Sequence, residues 1–152
     1  MIDIEEVASG FATASVGESL GQVVVRVARD EVVGLTTALR DAGFTTFLDL
    51  CAVDYLSRDP RFEVVVTLLA MESAQRVRLL CGISGDDPTM PTLTDVFVGA
   101  NFYEREAFDL FGIEFAGHPD LTRILLPDEW EGHPLRKDTP VGSVPVQFKG
   151  AE

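Results

Sequence analysis

Cysteine is scarce in this sequence. Cys51 and Cys81 are the only two, each isolated within an apolar, strand-like run. Two lone cysteines cannot hold an iron–sulfur cluster, which takes about four ligands. Both are expected to be buried, reduced thiols and not a disulfide. Cations are scarce too: 12 Lys and Arg face 25 Asp and Glu, for a net charge of −13. Nucleic acid is a poor partner for such a chain, because phosphate binding needs basic side chains gathered on one face. A basic or mixed protein partner fits better, although acidity that only keeps the chain soluble fits equally well. No apolar run reaches the roughly 18 residues a membrane span requires. The N-terminal MIDIEEVASG is acidic and lacks the basic and apolar regions of a secretory leader, so a soluble intracellular protein is expected. A Walker A loop, a dinucleotide glycine fingerprint, a paired CxxC and an HExxH helix are all missing.

What is present is a core. At 152 residues and 46% hydrophobic composition the chain is the size of one globular domain. Residues 3–9 give a weak helix signal. From Gly21 the alternation of Val23, Val25 and Val27 with Gln22, Val24 and Arg26 predicts a half-buried strand. Asp30 stands as an N-cap before Val32, Leu35, Thr36 and Leu39, with Arg40 in the last turn and Gly43 as the stop. Thr46 to Asp54, almost continuously apolar, reads as a central strand. Phe62 to Leu68 and Val77 to Cys81 then alternate about a reversal at residues 72–74 and predict an antiparallel hairpin.

Thr92 with Asp95, and Asn101 with Glu104, each look like a helix start, so a helix broken near Gly99 and ending at Gly112 is expected. Pro119, Pro127, Pro134, Pro140 and Pro145 forbid any long helix beyond it. The order β, α, β, β, β, α implies an α+β fold: a two-layer domain with helices on one face of a mixed sheet, followed by an extended C-terminal tail. The boundary is placed at residues 1–115 for the domain and 116–152 for the tail, which at roughly 3.3 Å per residue could in principle reach about 120 Å.

The stretch 100–138, ANFYEREAFDLFGIEFAGHPDLTRILLPDEWEGHPLRKD, holds the only Trp and both His. Helical spacing puts Glu104, Phe108 and Phe111 on one face, with Arg105 and Asp109 on the next. A carboxylate among aromatics must cap its helix, find a cation or face a partner. The plain structural reading is a capping box between Asn101 and Glu104 and a surface pair between Arg105 and Asp109. His118 and His133 each precede proline, which favours extended backbone. With Asp120 and Glu131 they supply zinc-ligand chemistry, but a structural site needs about four ligands in fixed geometry. Hydrogen bonding at a protein interface, or pinning the tail to its own domain, is preferred over a metal or a zinc hydrolase. Leu121 to Trp130 interleaves apolar anchors with charges, and Trp and Arg are the residues that dominate interfaces.

These residues closely resemble a known signature. Glu104-Arg105-Glu106, Asp109, Phe111-Gly112, Gly117-His118-Pro119, Arg123, Leu125-Leu126-Pro127 and Gly132-His133-Pro134-Leu135-Arg136-Lys137-Asp138 follow, in order and spacing, the 30 kDa subunit family of bacterial NADH:quinone oxidoreductase, respiratory complex I. The match covers about a quarter of the chain, and the α+β pattern before it agrees with that family's N-terminal domain. Thr122 stands where a second basic residue is usual, Thr139 where an aromatic is common, and Phe97-Val98 and Phe102 where Trp or Pro often occur.

The resemblance implies a non-catalytic peripheral-arm subunit with no redox cofactor of its own. The complex around it would use NADH, FMN, iron–sulfur clusters and quinone. The chief partner would be the hydrogenase-like subunit, the one related to the large subunit of nickel–iron hydrogenases, near the quinone-reducing region. The membrane would be met only indirectly, from the cytoplasmic side. An equivalent subunit of a membrane-bound hydrogenase, or of an enzyme with ferredoxin or another donor, is the alternative. The expected partner-binding residues are Glu104, Arg105, Glu106, Asp109, Phe111, His118, Arg123, Leu125, Leu126, Trp130, His133 and Arg136. Lys149, an isolated charge near the end, is expected to matter little.

Overall fold

A computed structural model describes residues 1–140; Pro145, Lys149 and the rest of 141–152 lie outside the described residues. A short helix α1 (Ile4–Ala8) opens the chain, capped by the Asp3 carboxylate on the Glu6 N–H. Strands β1 (Ser15–Ser19) and β2 (Gln22–Val27) follow as a hairpin whose two loop residues, Leu20 and Gly21, both have positive φ. A type I′ hairpin turn requires that conformation at both central positions. Helix α2 (Val32–Ala42) then crosses the sheet to β3 (Thr46–Asp54), and β4 (Phe62–Ala70) and β5 (Gln75–Ile83) form the expected antiparallel hairpin.

The sheet order is β1-β2-β5-β4-β3, with β2 and β5 parallel and the other neighbours antiparallel. It is a mixed sheet with its helices on one face, the α+β fold the residue pattern implies. Val25, Val64, Val66, Leu68, Val77, Leu79 and Ile83 from the strands meet Val32, Leu35 and Leu39 of α2 and Ala100 and Ala107 of α3 (Ala100–Phe111) in one core. Each large side chain fully buried there contributes about 1.5–3 kcal/mol.

Several expectations are corrected. The run from Thr46 to Asp54 is not central: among the described residues β3 is an edge strand that pairs with β4 alone. Its apolar residues are covered by α3 and not by a second neighbouring strand. Cys51 on that edge is exposed, and only Cys81 is buried. Asp30 is not the N-cap of α2. The cap is Glu31, whose carboxylate accepts the N–H groups of Ala12 (3.2 Å) and Thr13 (2.8 Å) and so ties down the loop before β1. No helix forms over 92–98; those residues turn on the Leu93 carbonyl, and α3 starts at Ala100 after Gly99. A small parallel pair, β6 (Thr89–Pro91) with β7 (Glu114–Ala116), carries no signal in the residue pattern and brackets α3.

Residues 117–140 carry no helix or strand, as their prolines require. They do not project away at full reach. They lie along α3 and back to the end of β3, as a strap.

Candidate functional site

A helix leaves its last four carbonyls without intrahelical donors, at the negative end of its dipole. In α3 these belong to Phe108, Asp109, Leu110 and Phe111. The Gly112 N–H, 2.8 Å from the Phe108 oxygen, satisfies the first. The strap satisfies the rest. Asp109 O accepts from Arg123 Nη1 at 3.2 Å and His133 Nδ1 at 2.9 Å, Leu110 O from the Leu135 N–H at 3.0 Å, and Phe111 O from Arg136 Nε at 2.5 Å. Three basic side chains thus close a helix that has no basic residue in its own last turn. Gly112 is required twice over: its φ is 71°, and a Cβ there would stand 2.6 Å from His133 Cδ2 and 2.8 Å from Arg136 Nη2.

Above the cap, the fully buried Asp109 carboxylate organises the strap. One oxygen pairs with Arg123 Nη1 at 2.7 Å, and the other accepts three successive N–H groups, Ile124, Leu125 and Leu126, at 3.1, 2.8 and 2.9 Å. Arg123 also donates to the Trp130 and Gly132 carbonyls, both at 2.9 Å. Burial pushes Asp109 up, but the bonds from Leu126, Arg123, Leu125 and Ile124 outweigh it and hold the acid below the usual range. The expected Arg105–Asp109 surface pair is therefore absent; Arg105 donates to the Thr122 and Arg123 carbonyls, 3.1 Å each. Truncating Arg105 would free two exposed or half-exposed carbonyls and leave no carboxylate unpaired.

At the other end of α3, Glu104 is also fully buried, and the capping box with Asn101 does not form. Its oxygens accept the Thr92 hydroxyl at 2.5 Å and the Leu93 N–H at 2.6 Å, fixing the loop that enters the helix. Burial raises its pKa above the ordinary glutamate value despite these bonds. His118 Nε2 lies 4.0 Å away, and its proximity acts to lower Glu104 after the two hydrogen bonds. Its Nδ1 accepts the Asp120 N–H at 3.0 Å, and Nε2 lies 3.2 Å from the Asn101 oxygen. His118 clips the strap to the helix.

A third polar knot has almost no trace in the sequence. Asp54, buried at the end of β3, takes both Arg61 Nε (2.9 Å) and Nη2 (2.8 Å), together with the Leu56 and Lys137 N–H groups at 2.8 and 2.9 Å. Arg61 reaches on to Asp138 at 3.0 Å, so the strap's far end is tied to the sheet. The Arg61 guanidinium holds Asp54 far below the usual carboxylate range and lowers Asp138 as well. The only hint is an Asp and an Arg seven apart flanking a turn.

The strap shows apolar side chains outward, interspersed with the exposed charges of Asp120, Asp128, Glu129, Glu131 and Lys137. Leu125 is 60% and Leu135 51% exposed, with Phe102 at 61% and Val98 at 84% on and before the first turn of α3. Ile124 is also exposed, while Leu126, Trp130, Phe111, His133 and Arg136 are half-buried. Glu106 is exposed on the rim of a small groove of about 160 Å³ between α3 and β3. Of the expected partner-binding residues, the structure therefore places Glu104, Asp109, His118, Arg123, His133 and Arg136 in bonds within the chain, and Leu125 and Glu106 on the surface. Among the described residues no three His, Cys, Asp or Glu are grouped as a metal site, and no helix is long and apolar enough to cross a membrane.

Fold and strap together define the class: the chain belongs to the family described as the 30 kDa subunit of respiratory-chain NADH dehydrogenase, whose model matches residues 25–144. Among its relatives is an NADH-quinone oxidoreductase subunit of Herpetosiphon aurantiacus, 47% identical over 95% of this chain and 86% of the relative. Its counterpart in Roseiflexus castenholzii is 48% identical over 86% of this chain and 77% of its own. A trypsin-resistant fragment of Nqo5 superposes with a TM-score of 0.69 at 33% identity, covering 78% of this chain and 96% of the fragment. A chain of the membrane-bound sulfane sulfur reductase, an archaeal respiratory membrane complex, superposes at 0.81 over 98% of this chain and 94% of its own; at 22% identity it shows a shared fold.

Proposed function

We propose that this chain is a peripheral-arm subunit of a proton-translocating NADH:quinone oxidoreductase, and that its own contribution is to position a neighbour. As a member of its family it is a subunit of an oxidoreductase complex. NADH, FMN, the iron–sulfur clusters and quinone are handled by other subunits, and the chain meets the membrane through the complex, on the cytoplasmic side. The neighbour it holds is the hydrogenase-like subunit.

One observation supports this reading above the others. Residues 117–140 are fixed from beneath by buried carboxylates while Leu125 and Leu135 stay exposed. A surface whose backbone is fixed by internal bonds while aliphatic side chains stand outward is preorganised for a protein partner, because little ordering remains to be done on binding. Glu104, Arg105, Asp109, Phe111, His118, Arg123, His133 and Arg136 act in this reading by shaping the surface, and Leu125, Leu126, Trp130 and Glu106 by presenting it.

Coexpression with the hydrogenase-like subunit tests it. The wild-type chain should copurify with that neighbour, and Leu125→Asp should lose it while keeping its own stability within about 0.5 kcal/mol, as surface changes do. Undiminished copurification of Leu125→Asp would remove the strap from the interface.

A further inference from the structure

We propose that the outer edge of β3, with the groove beside it, accepts an extended segment of a neighbouring subunit bearing Lys or Arg, which adds to the sheet as a sixth strand. This rests on the subunit reading but concerns a different surface. β3 is nine residues long and, among the described residues, pairs only with β4. Every second N–H and C=O along it therefore points outward, and among the described residues no hydrogen bond reaches them. Proteins blunt such edges with charge, bulges or cover. Here a bulge between Phe47 and Asp49, with the Asp49 carboxylate, blunts only the first half. Leu50-Cys51-Ala52-Val53 carries no charge and remains a template for strand addition.

The groove supplies side-chain pockets of matching kind. Leu50, Ala52, Leu110, Phe111 and Leu135 line its 160 Å³, enough for one aliphatic side chain, and Cys51 opens onto it. Leu135 belongs to the strap, so the groove continues the surface already assigned to a partner. The rim selects the occupant's charge. Asp49 and Glu106 are exposed, neither is in an ion pair among the described residues, and both act on the Cys51 thiol, which burial first and these two charges next push up. A basic segment is attracted there. A second copy of this chain would bring Asp49 and Glu106 against their like, which disfavours edge-to-edge pairing of the protein with itself.

The test uses the free chain and the assembled complex. A polyethylene-glycol maleimide should label Cys51 in the free chain and fail to label it in the complex. Cys81, buried with its thiol pushed up to about 12, should stay unlabelled in both. Amide exchange over residues 49–54 should slow by about tenfold or more on assembly, because only an added strand protects the outward N–H groups. In the charge-reversed variant D49K both protections should be lost while the complex still forms through the strap. If that variant does not assemble, Asp49→Asn should expose Cys51 in part. Equal labelling in free and assembled states overturns the proposal, as does protection of Cys51 without slower exchange. Full protection in the charge-altered variants overturns the basic occupant. A wild-type chain that enters no complex removes the subunit reading and this proposal with it.

Discussion

The sheet domain and the strap are two ways of holding a polypeptide in place. Between β2 and β5 the chain is held by burying Val, Leu, Ile and Phe side chains, a force without direction, and many substitutions of similar size would preserve it. Residues 117–140 have no core of their own. Their path is dictated by two buried carboxylates, Asp109 and Asp54, through bonds that have direction and so specify one route. The difference explains how a run whose large apolar residues stay exposed or half-exposed keeps a defined shape: the shape is imposed from the polar side.

The comparison breaks most plainly if the wrong element yields. Asp109→Ala removes the acceptor of three N–H groups and leaves Arg123 uncompensated, at a cost of about 3–5 kcal/mol. The loss should fall on the strap: Trp130, the sole tryptophan, should shift its emission and proteases should cut within 117–140, while far-ultraviolet circular dichroism stays near wild type. Leu68→Ala in β4 costs a similar 2–5 kcal/mol, roughly, but should destabilise the whole domain together. Identical unfolding profiles for the two variants would show that strap and sheet are not held separately.

Acid sharpens the same contrast. Asp54, Asp109 and Asp138 all titrate below their ordinary range in the folded chain. A depressed acid contributes stability that is present above its unfolded value, about 4, and is lost as pH falls through the folded value. Trp130 emission should therefore report strap release beginning below about pH 4, ahead of any loss of strand signal. Simultaneous loss of both would count against carboxylates as the holding force.

The smallest effect is expected at Glu104, where the shift has the opposite sign. A raised acid contributes stability that is full below its unfolded value, about 4.3, and fades as pH rises through the folded one. Glu104→Gln keeps an acceptor for the Leu93 N–H and does not ionise. Its stability should lie within about 1 kcal/mol of wild type at about pH 5 and improve relative to wild type toward about pH 8. A variant that instead weakens steadily over that range would mean that the charged form is the one the site favours.

Much of the domain is legible in sequence because burial imposes a period. The alternation from Phe62 to Leu68 and from Val77 to Cys81, and the helix from Val32 to the stop at Gly43, stand in the structure where the pattern puts them. β1 leaves no such trace because four of its five residues are exposed, although Leu20-Gly21 after it is a hairpin signal. β3 reads as central since an apolar run looks alike whether a strand or a helix covers it. The partners of the charged residues are the least legible. Glu104 bonds Thr92 and Leu93, Asp109 bonds Arg123, and Asp54 bonds Lys137, at separations of up to 83 positions that no local spacing reveals.

By itself, then, the order of residues determined β2, α2, β4, β5 and α3 and, among the described residues, the absence of helix past Gly112, because side-chain periodicity and proline act through neighbours in sequence. It also carried the signature of the family. Only the tertiary structure decided which way the strap runs and which of its side chains face out. Those outcomes depend on where Asp54 and Asp109 come to lie once the sheet has formed, and a buried carboxylate binds whatever donors the fold brings within about 3 Å.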